Sequence, residues 1–217
     1  MPTARKGLGV TSVDGKIYAI GGFNGSYLNT VEEYNPSTNT WSTKAGMPTA
    51  RSGFGVTVVN GKIYAIGGSN SGGYLKIVEE YNPATNTWTT KAVMPSARCD
   101  LSTVNLNGLI YAIGGKNSTG LSTVEVYNPI INTWQTGISM PLARYAMRAA
   151  VINGKIYAIG GYDGNNYHST VEEYDPANSI WTKKNPVLNP RAYYGAVVQG
   201  DKIYLAGGCN STGNLNT

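Results

Sequence analysis

Arginine recurs at Arg5, Arg51, Arg98, Arg144 and Arg191, 46 or 47 residues apart, and these are five of the chain's six arginines. A guanidinium is a planar fork of donors that suits a carboxylate, sulfate or phosphate. Brought to one place, five of them would form an anion-binding surface. Two unit charges about 10 Å apart repel by only roughly 0.4 kcal/mol in water, and salt weakens that further. A residue repeated in every unit equally serves a need that every unit has, for instance bonding backbone carbonyls to tie neighbouring units. Both roles stand on the sequence.

Other reactive groups are sparse. His168 is the single imidazole, with no second histidine or CxxC companion to build a metal site. No Gly-x-Ser-x-Gly elbow precedes it, so a serine triad has no support. Cys99 follows an arginine, yet reads as a small core or pocket residue. With Cys209 it makes only two thiols, too few for a disulfide framework. The pairs Glu32-Glu33, Glu79-Glu80 and Glu172-Glu173 are consecutive residues, which a strand turns to opposite faces. They therefore read as structural rather than as catalytic carboxylate pairs.

The elements that must position these groups follow from the same repeat. Gly21-Gly22, Gly67-Gly68, Gly114-Gly115, Gly160-Gly161 and Gly207-Gly208 keep the arginine period. So do Tyr34, Tyr81, Tyr127 and Tyr174, and Trp41, Trp88, Trp134 and Trp181. Each unit reads as four strands. In the second, a strand over 53–59 turns at Asn60-Gly61, a type I′ hairpin signal. Asp14-Gly15, Asn107-Gly108 and Asn153-Gly154 repeat the turn, and Gly200-Asp201 reverses it. A second strand over 62–66 ends at the glycine doublet, a third spans 77–81 up to Asn82-Pro83, and Trp88 opens a fourth. Composition agrees with an all-β chain, with 28 Gly, 16 Tyr and 41% hydrophobic residues. One such sheet cannot bury both faces, and stacking the sheets radially solves that.

The phased glycine doublet, tyrosine and tryptophan resemble the kelch repeat across essentially the whole chain, whereas the Trp-Asp dipeptide of WD40 units is missing from every unit. The resemblance implies a kelch β-propeller of four complete four-stranded blades plus an incomplete, two-stranded fifth. As one domain over 1–217, the units are 1–46, 47–93, 94–139, 140–187 and a partial 188–217. Family members close with six or seven blades, so three arrangements stay open. Five inner hairpins close a small ring, the chain is a fragment, or the exposed edge over 202–206 pairs with another chain, a second copy included.

Strand alternation sends the loops after the glycine doublets and the recurrent arginines to one rim. In kelch adaptors that capture acidic peptides, arginines at the matching place bind carboxylates, so the resemblance implies that role for Arg5, Arg51, Arg98, Arg144 and Arg191. Positions that break the repeat point to specificity. Two residues after each arginine stand Gly7, Gly53, Asp100, Ala146 and Tyr193, and four after stand Gly9, Gly55, Ser102, Arg148 and Gly195. Period-two alternation puts both sets on one side. Asp100, Arg148 and Tyr193 are exceptions among small residues, and Asp100 and Arg148 either pair across the channel or form its floor. Just past the doublets come Phe23, Ser69, Lys116, Tyr162 and Cys209, with Tyr27, Tyr74 and Tyr167 in the same loops. Tyrosine on a loop gives adaptable contacts at low ordering cost.

The sequence thus points to a non-catalytic binding module, a protein-interaction domain whose arginine-rich rim accepts an acidic peptide or loop. Two alternatives are carried: a lectin-like glycan binder, and a sugar-modifying enzyme of the sialic-acid epimerase type using Asp100, Arg98, Arg144 and Arg148. No cofactor or metal is implied. The net charge of +5 arises without a basic arm, which gives no support to nucleic acid. The N-terminus has no apolar signal and no stretch approaches the roughly 20 apolar residues of a membrane helix. A cytoplasmic, membrane-free setting is the default expectation.

Overall fold

The computed structural model describes residues 1–216; Thr217, which the sequence reading places in the partial unit, lies outside the described residues. All regular structure among them is β, and no helix is long and apolar enough to cross a membrane. The first sheet runs β1 (Gly9–Val13), β2 (Lys16–Phe23), β3 (Tyr27–Asn35), β4 (Thr40–Lys44) in meander order. The second holds β5 (Gly55–Val59) and β6 (Lys62–Ile66), then a two-residue hairpin of β7 (Ser69–Asn70) and β8 (Gly73–Tyr74), then β9 (Val78–Asn82) and β10 (Thr87–Thr90). The third is β11 (Ser102–Leu106), β12 (Leu109–Ile113), β13 (Val124–Asn128) and β14 (Thr133–Thr136). The fourth is β15 (Arg148–Ile152), β16 (Lys155–Ile159), β17 (Val171–Asp175) and β18 (Ile180–Lys184). Last come the pair β19 (Gly195–Gln199) and β20 (Lys202–Ala206), and a small hairpin of β21 (Cys209–Asn210) and β22 (Gly213–Asn214).

Local chemistry accounts for these elements. Asp14, Asn60, Asn107 and Asn153 sit at φ of 50°, 49°, 54° and 51°, each followed by a positive-φ glycine, as a type I′ turn demands. In the fifth hairpin only Gly200 is positive, at 62°, which suits the mirror turn with glycine first. The outer turns use Asn39, Asn86, Asn132 and Ser179 at φ of 53–55°. At the first two of these the next-to-last residue of the third strand, a tyrosine, donates to the amide oxygen, Tyr34 to Asn39 and Tyr81 to Asn86, each at 2.8 Å.

The chain forms two compact units, residues 1–99 with 128–134, and residues 100–127 with 135–217. In the first, Val13, Ile20, Val31, Met47, Phe54, Ile63 and Tyr81 pack into one core. In the second, Val104, Tyr111, Ile113, Met140, Met147, Ile156 and Tyr174 do the same. The ties between successive sheets inside each unit are repeated bonds. The amide of Gly22 donates to the Arg51 carbonyl at 2.9 Å, and Gly161 to that of Arg191 at 2.8 Å. A Cβ at Gly114 would sit 2.5 Å from the Arg144 carbonyl oxygen, so the doublet is glycine because the next arginine's backbone lies against it. Farther out, indole nitrogens reach back to the preceding connection, Trp88 to the Ala45 carbonyl and Trp181 to that of Ile138, both at 2.9 Å.

The first strand is shorter than the sequence pattern suggests. It starts at Gly55, not Gly53, because Gly53 sits at φ of 62°. The equivalent residues Gly7, Asp100, Ala146 and Tyr193 share that left-handed conformation, at 62°, 52°, 52° and 56°. Period-two alternation therefore does not extend to them.

Candidate functional site

The recurrent arginines lie inside the molecule. Arg51, Arg98 and Arg144 are 0% exposed and Arg191 is 6% exposed, and the Arg5 side chain is likewise 0% exposed. Three of the guanidiniums reach the third strand of their own sheet, while Arg191 donates to the Gly207 carbonyl at 3.2 Å. Arg5 meets Glu32 at 3.1 Å, Arg51 meets Glu79 at 2.9 Å and Arg144 meets Glu172 at 2.9 Å. The same guanidiniums donate to second-strand carbonyls, Arg5 to Ala19 at 2.9 Å, Arg51 to Ala65 and Arg144 to Ala158 at 3.0 Å. Threonines complete two of the glutamates, Thr3 donating to Glu32 and Thr49 to Glu79 at 2.7 Å. Burial pulls Arg51 down to about 10, with Glu79 opposing, so it stays charged at neutral pH.

The expected solvent-facing guanidinium ring is thereby corrected. A buried cation is tolerable only when its charge is compensated, as at Arg5, Arg51 and Arg144, and burial holds the recurrent side chains away from a partner at the surface. The structural role foreseen for them also changes in detail, since the side chains brace their own sheet while backbone amides and indoles join neighbouring sheets. The enzyme constellation loses Arg98 and Arg144 for the same reason. Asp100 forms its ion pair with Lys116 at 3.2 Å, while the exposed Arg148 donates from Nε to the Tyr194 carbonyl at 2.8 Å.

The left-handed residues form a second repeated device. Gly53 N–H donates to the Gly7 carbonyl at 2.9 Å in the first unit. In the second, Ala146 donates to Asp100 at 2.9 Å and Tyr193 to Ala146 at 3.0 Å. Holding a non-glycine residue there costs about 1–2 kcal/mol, and Tyr193 keeps half its surface exposed.

The loops beyond the glycine doublets stay accessible. In the second unit they build a row: Lys116 Nζ lies 4.5 Å from the Tyr145 ring centre, and Tyr145 meets Tyr162 edge-on at 5.5 Å. Tyr162 then lies against Tyr167 at 4.6 Å, and the Tyr167 hydroxyl is 3.9 Å from Cys209 Sγ. That thiol contact raises the Tyr167 phenol above its usual range. His168 fills a position that is leucine in Leu28, Leu75, Leu121 and Leu215. Its Nε2 is 2.8 Å from Asp163 Oδ2. Backbone N–H groups of Asn166 and Asn165, with His168, hold the Asp163 carboxyl down at about 2. Among the described residues no cluster of three His, Cys, Asp or Glu could hold a metal ion.

The first unit repeats the theme on a smaller scale. Phe23 and Tyr27 meet edge-on at 5.2 Å with Lys6 Nζ 6.0 Å over Phe23. They border a groove of about 620 Å³ that Pro48, Ala50 and Asn70 close. The counterpart beside Tyr167, closed by Pro190 and Asn210, holds about 390 Å³. Of the loop residues marked in sequence, Phe23, Tyr27, Lys116, Tyr162 and Tyr167 thus enter aromatic contacts. Ser69 pairs by backbone with Ser52, and Tyr74 stands exposed in β8. Tyr145 and Lys6 were missed; both occupy the position after the arginine, where Ser52, Cys99 and Ala192 stand in other units, so a break in the repeat marked them.

Comparison with known proteins places this arrangement. The KLHDC2/KLHL20/DRC7 Kelch-repeats domain model matches residues 1–140, and the Kelch motif model matches residues 143–187 and 190–217. The chain belongs to the kelch-repeat family. Kelch-like protein 7 of Rattus norvegicus is 42% identical over 48 residues, 22% of this chain and 8% of that protein. The Homo sapiens protein of that name is 40% identical over 57 residues, 24% of this chain and 10% of that protein. The matched segment is thus a tenth or less of these curated relatives. The solved structure of YjhT superposes with a TM-score of 0.87 at 20% identity, covering 98% of this chain and 80% of that one. That likeness concerns the fold, and the fold class is the kelch β-propeller.

Proposed function

We propose that the chain is a protein-interaction module that presents its glycine-doublet loops to a partner, as domains of the kelch family typically do. One observation carries the reading: the charges repeated in every unit are engaged inside the sheets, while Tyr145, Tyr162 and Tyr167 form a half-exposed aromatic row. Aromatic rings with a polar tip give large contact area with few torsions to freeze, which suits recognition. An acidic segment is the favoured partner chemistry. The net charge is +5, and Lys6 and Lys116 sit over the aromatic rings at the ends of the two clusters. The positive contribution then comes from the Lys6 ammonium and, shared with Asp100, from Lys116, rather than from the interior guanidiniums.

Selection of peptides from a displayed library tests this. Enriched sequences should be acidic, and binding should fall about tenfold or more in Tyr162→Ala and Tyr167→Ala chains that melt like the parent. Binders indifferent to both substitutions would overturn the reading. A glycan array run alongside addresses the second reading, which the accessible Tyr162 and Tyr167 faces favour. Glycan binding that disappears in those two variants, with no peptide enriched, would replace the first reading by the second.

A further inference from the structure

Two loops of the first unit stand apart where their counterparts in the second unit touch. The groove of about 620 Å³ runs between the loop after Gly21-Gly22 and the loop after Gly67-Gly68, over the connection at Pro48. The first loop contributes Tyr27 to its lining and the second contributes Asn70. In the second unit the matching places are Gly120 and Asp163. Gly120 precedes Leu121 as Tyr27 precedes Leu28, and Asp163 follows its doublet by two residues as Asn70 does. There the backbones meet, since a Cβ at Gly120 would lie 3.3 Å from the Asp163 carbonyl oxygen. Where Tyr167 and Asn210 fill the same two places the groove returns, at about 390 Å³. The opening therefore goes with a tyrosine and an asparagine at these places, not with the loops as such.

We infer that the groove of the first unit is a binding site for a neutral saccharide. Its volume falls among small-ligand clefts, which span roughly 300–1,000 Å³. The half-buried rings of Phe23 and Tyr27, with the exposed ring of Pro48, offer an apolar surface on which the C–H face of a pyranose can lie. Exposed Ser26 and Ser71 bring hydroxyls that donate and accept alike, as sugar hydroxyls do. The Asn70 amide oxygen accepts from Gly72 N–H at 2.8 Å, which fixes the amide and leaves its NH2 group to donate to a ligand. None of the residues lining the groove carries a charge, and Thr49 spends its hydroxyl on Glu79 at 2.7 Å. Lys6, 6.0 Å over the Phe23 ring, is not part of the lining. An acidic ligand would lose hydration there with no lining cation to compensate, whereas a neutral polyhydroxylated one finds donors and acceptors. The groove belongs to the first unit, and Tyr145, Tyr162 and Tyr167 to the second, so its occupancy is independent of the readings above.

The probes are neutral trisaccharides built from glucose, galactose, mannose, xylose and N-acetylglucosamine, titrated into the isotope-labelled full chain and followed by its amide resonances. At least one should shift the amides of 23–27 and 70–71 saturably, with the same affinity in low and high salt. Tyr27→Ala should weaken that sugar about tenfold or more, and Tyr27→Phe, which keeps the ring, by less. Asn70→Asp keeps an oxygen for Gly72 N–H and removes the NH2 group. It should weaken the sugar about tenfold while melting like the parent. No shift from any of the sugars, affinity indifferent to both Tyr27→Ala and Asn70→Asp, or affinity that falls steeply with salt would overturn the inference. Shifts confined to 162–167 would overturn it too, and would instead favour the glycan reading at Tyr162 and Tyr167.

Discussion

In the fourth sheet Glu173 accepts from the Tyr157 hydroxyl at 2.6 Å, and Lys155 and Lys184 close on it at 3.0 and 3.1 Å. In the third sheet the same three places carry Val126, Leu109 and Gly137. Val126 and Leu109 pack against the hydrophobic core, and a Cβ on Gly137 would come within 3.0 Å of Val124 Cγ1 and 3.3 Å of Val126 Cγ2. Carboxylate, ammonium and ammonium have been exchanged as a set for two apolar side chains and an empty place. A half-removed polar cluster leaves a buried group unsatisfied, whereas an apolar replacement of the whole set does not. The inner pair behaves differently, because Arg98 and Glu125 keep their identities in the third sheet and both are buried. The outer cluster is replaced in the third sheet, whereas the inner arginine and glutamate recur in all four four-stranded sheets.

Substitutions can break that contrast. The largest effect belongs to Arg144→Ala, which leaves Glu172 as a buried, uncompensated charge. Loss of about 3–5 kcal/mol in unfolding free energy by denaturant titration is expected. Next comes Glu173→Val alone, which strands the Tyr157 hydroxyl and takes a carboxylate from Lys184 and from Lys155, the latter keeping Asp175 at 3.4 Å, and should cost about 1–3 kcal/mol. Adding Lys155→Leu and Lys184→Gly, the set found in the third sheet, should recover most of that loss, and failure to recover any would show that the two sheets are not interchangeable.

Acid sharpens the same comparison. The Tyr157 hydroxyl bond lowers the Glu173 carboxyl, burial raises it, and Lys155 and Lys184 lower it further, leaving it below the ordinary carboxylate range. For Glu33 and Glu80 burial pushes upward, but the tyrosine and two lysines at each outweigh it. A depressed carboxyl contributes stability above its unfolded pKa and loses it as pH falls through the folded value. Stability of the parent should therefore decline below about pH 4.5. The triple variant, lacking one such group, should decline less steeply in the same titration. Smallest is His168→Leu, which restores the residue of the other loops; it should move the melting free energy by about 0.5 kcal/mol or less.

Much of this fold is legible in the sequence because its determinants are local. Asn60-Gly61 fixes a hairpin by its own dihedrals, and Trp88 marks the outer strand within its unit. The start of the first strand misleads, since the left-handed conformation that glycine permits at Gly7 and Gly53 is also taken by Asp100, Ala146 and Tyr193, where the residue type does not announce it. Burial of the arginines is the larger surprise. Arg51 meets its glutamate 28 positions downstream, a pairing that no local pattern reveals. A signal was present all the same: Glu32, Glu79, Glu125 and Glu172 keep phase with arginine in all four full units, whereas the second glutamate fails at Val126. A charge that always travels with its opposite points to an internal pair. The aromatic row was half visible, through Tyr162 and Tyr167, and the missing member, Tyr145, lies on a different segment joined to them only by folding.

A double-mutant cycle on Arg144 and Glu172 tests the inward placement of the arginines most directly. Unfolding free energies of Arg144→Met, Glu172→Met and the double variant should show a coupling of about 2 kcal/mol or more, with the double variant more stable than either single one. Additive effects, with coupling near zero, would mean that these groups do not meet inside the sheet and would return the arginines to the surface.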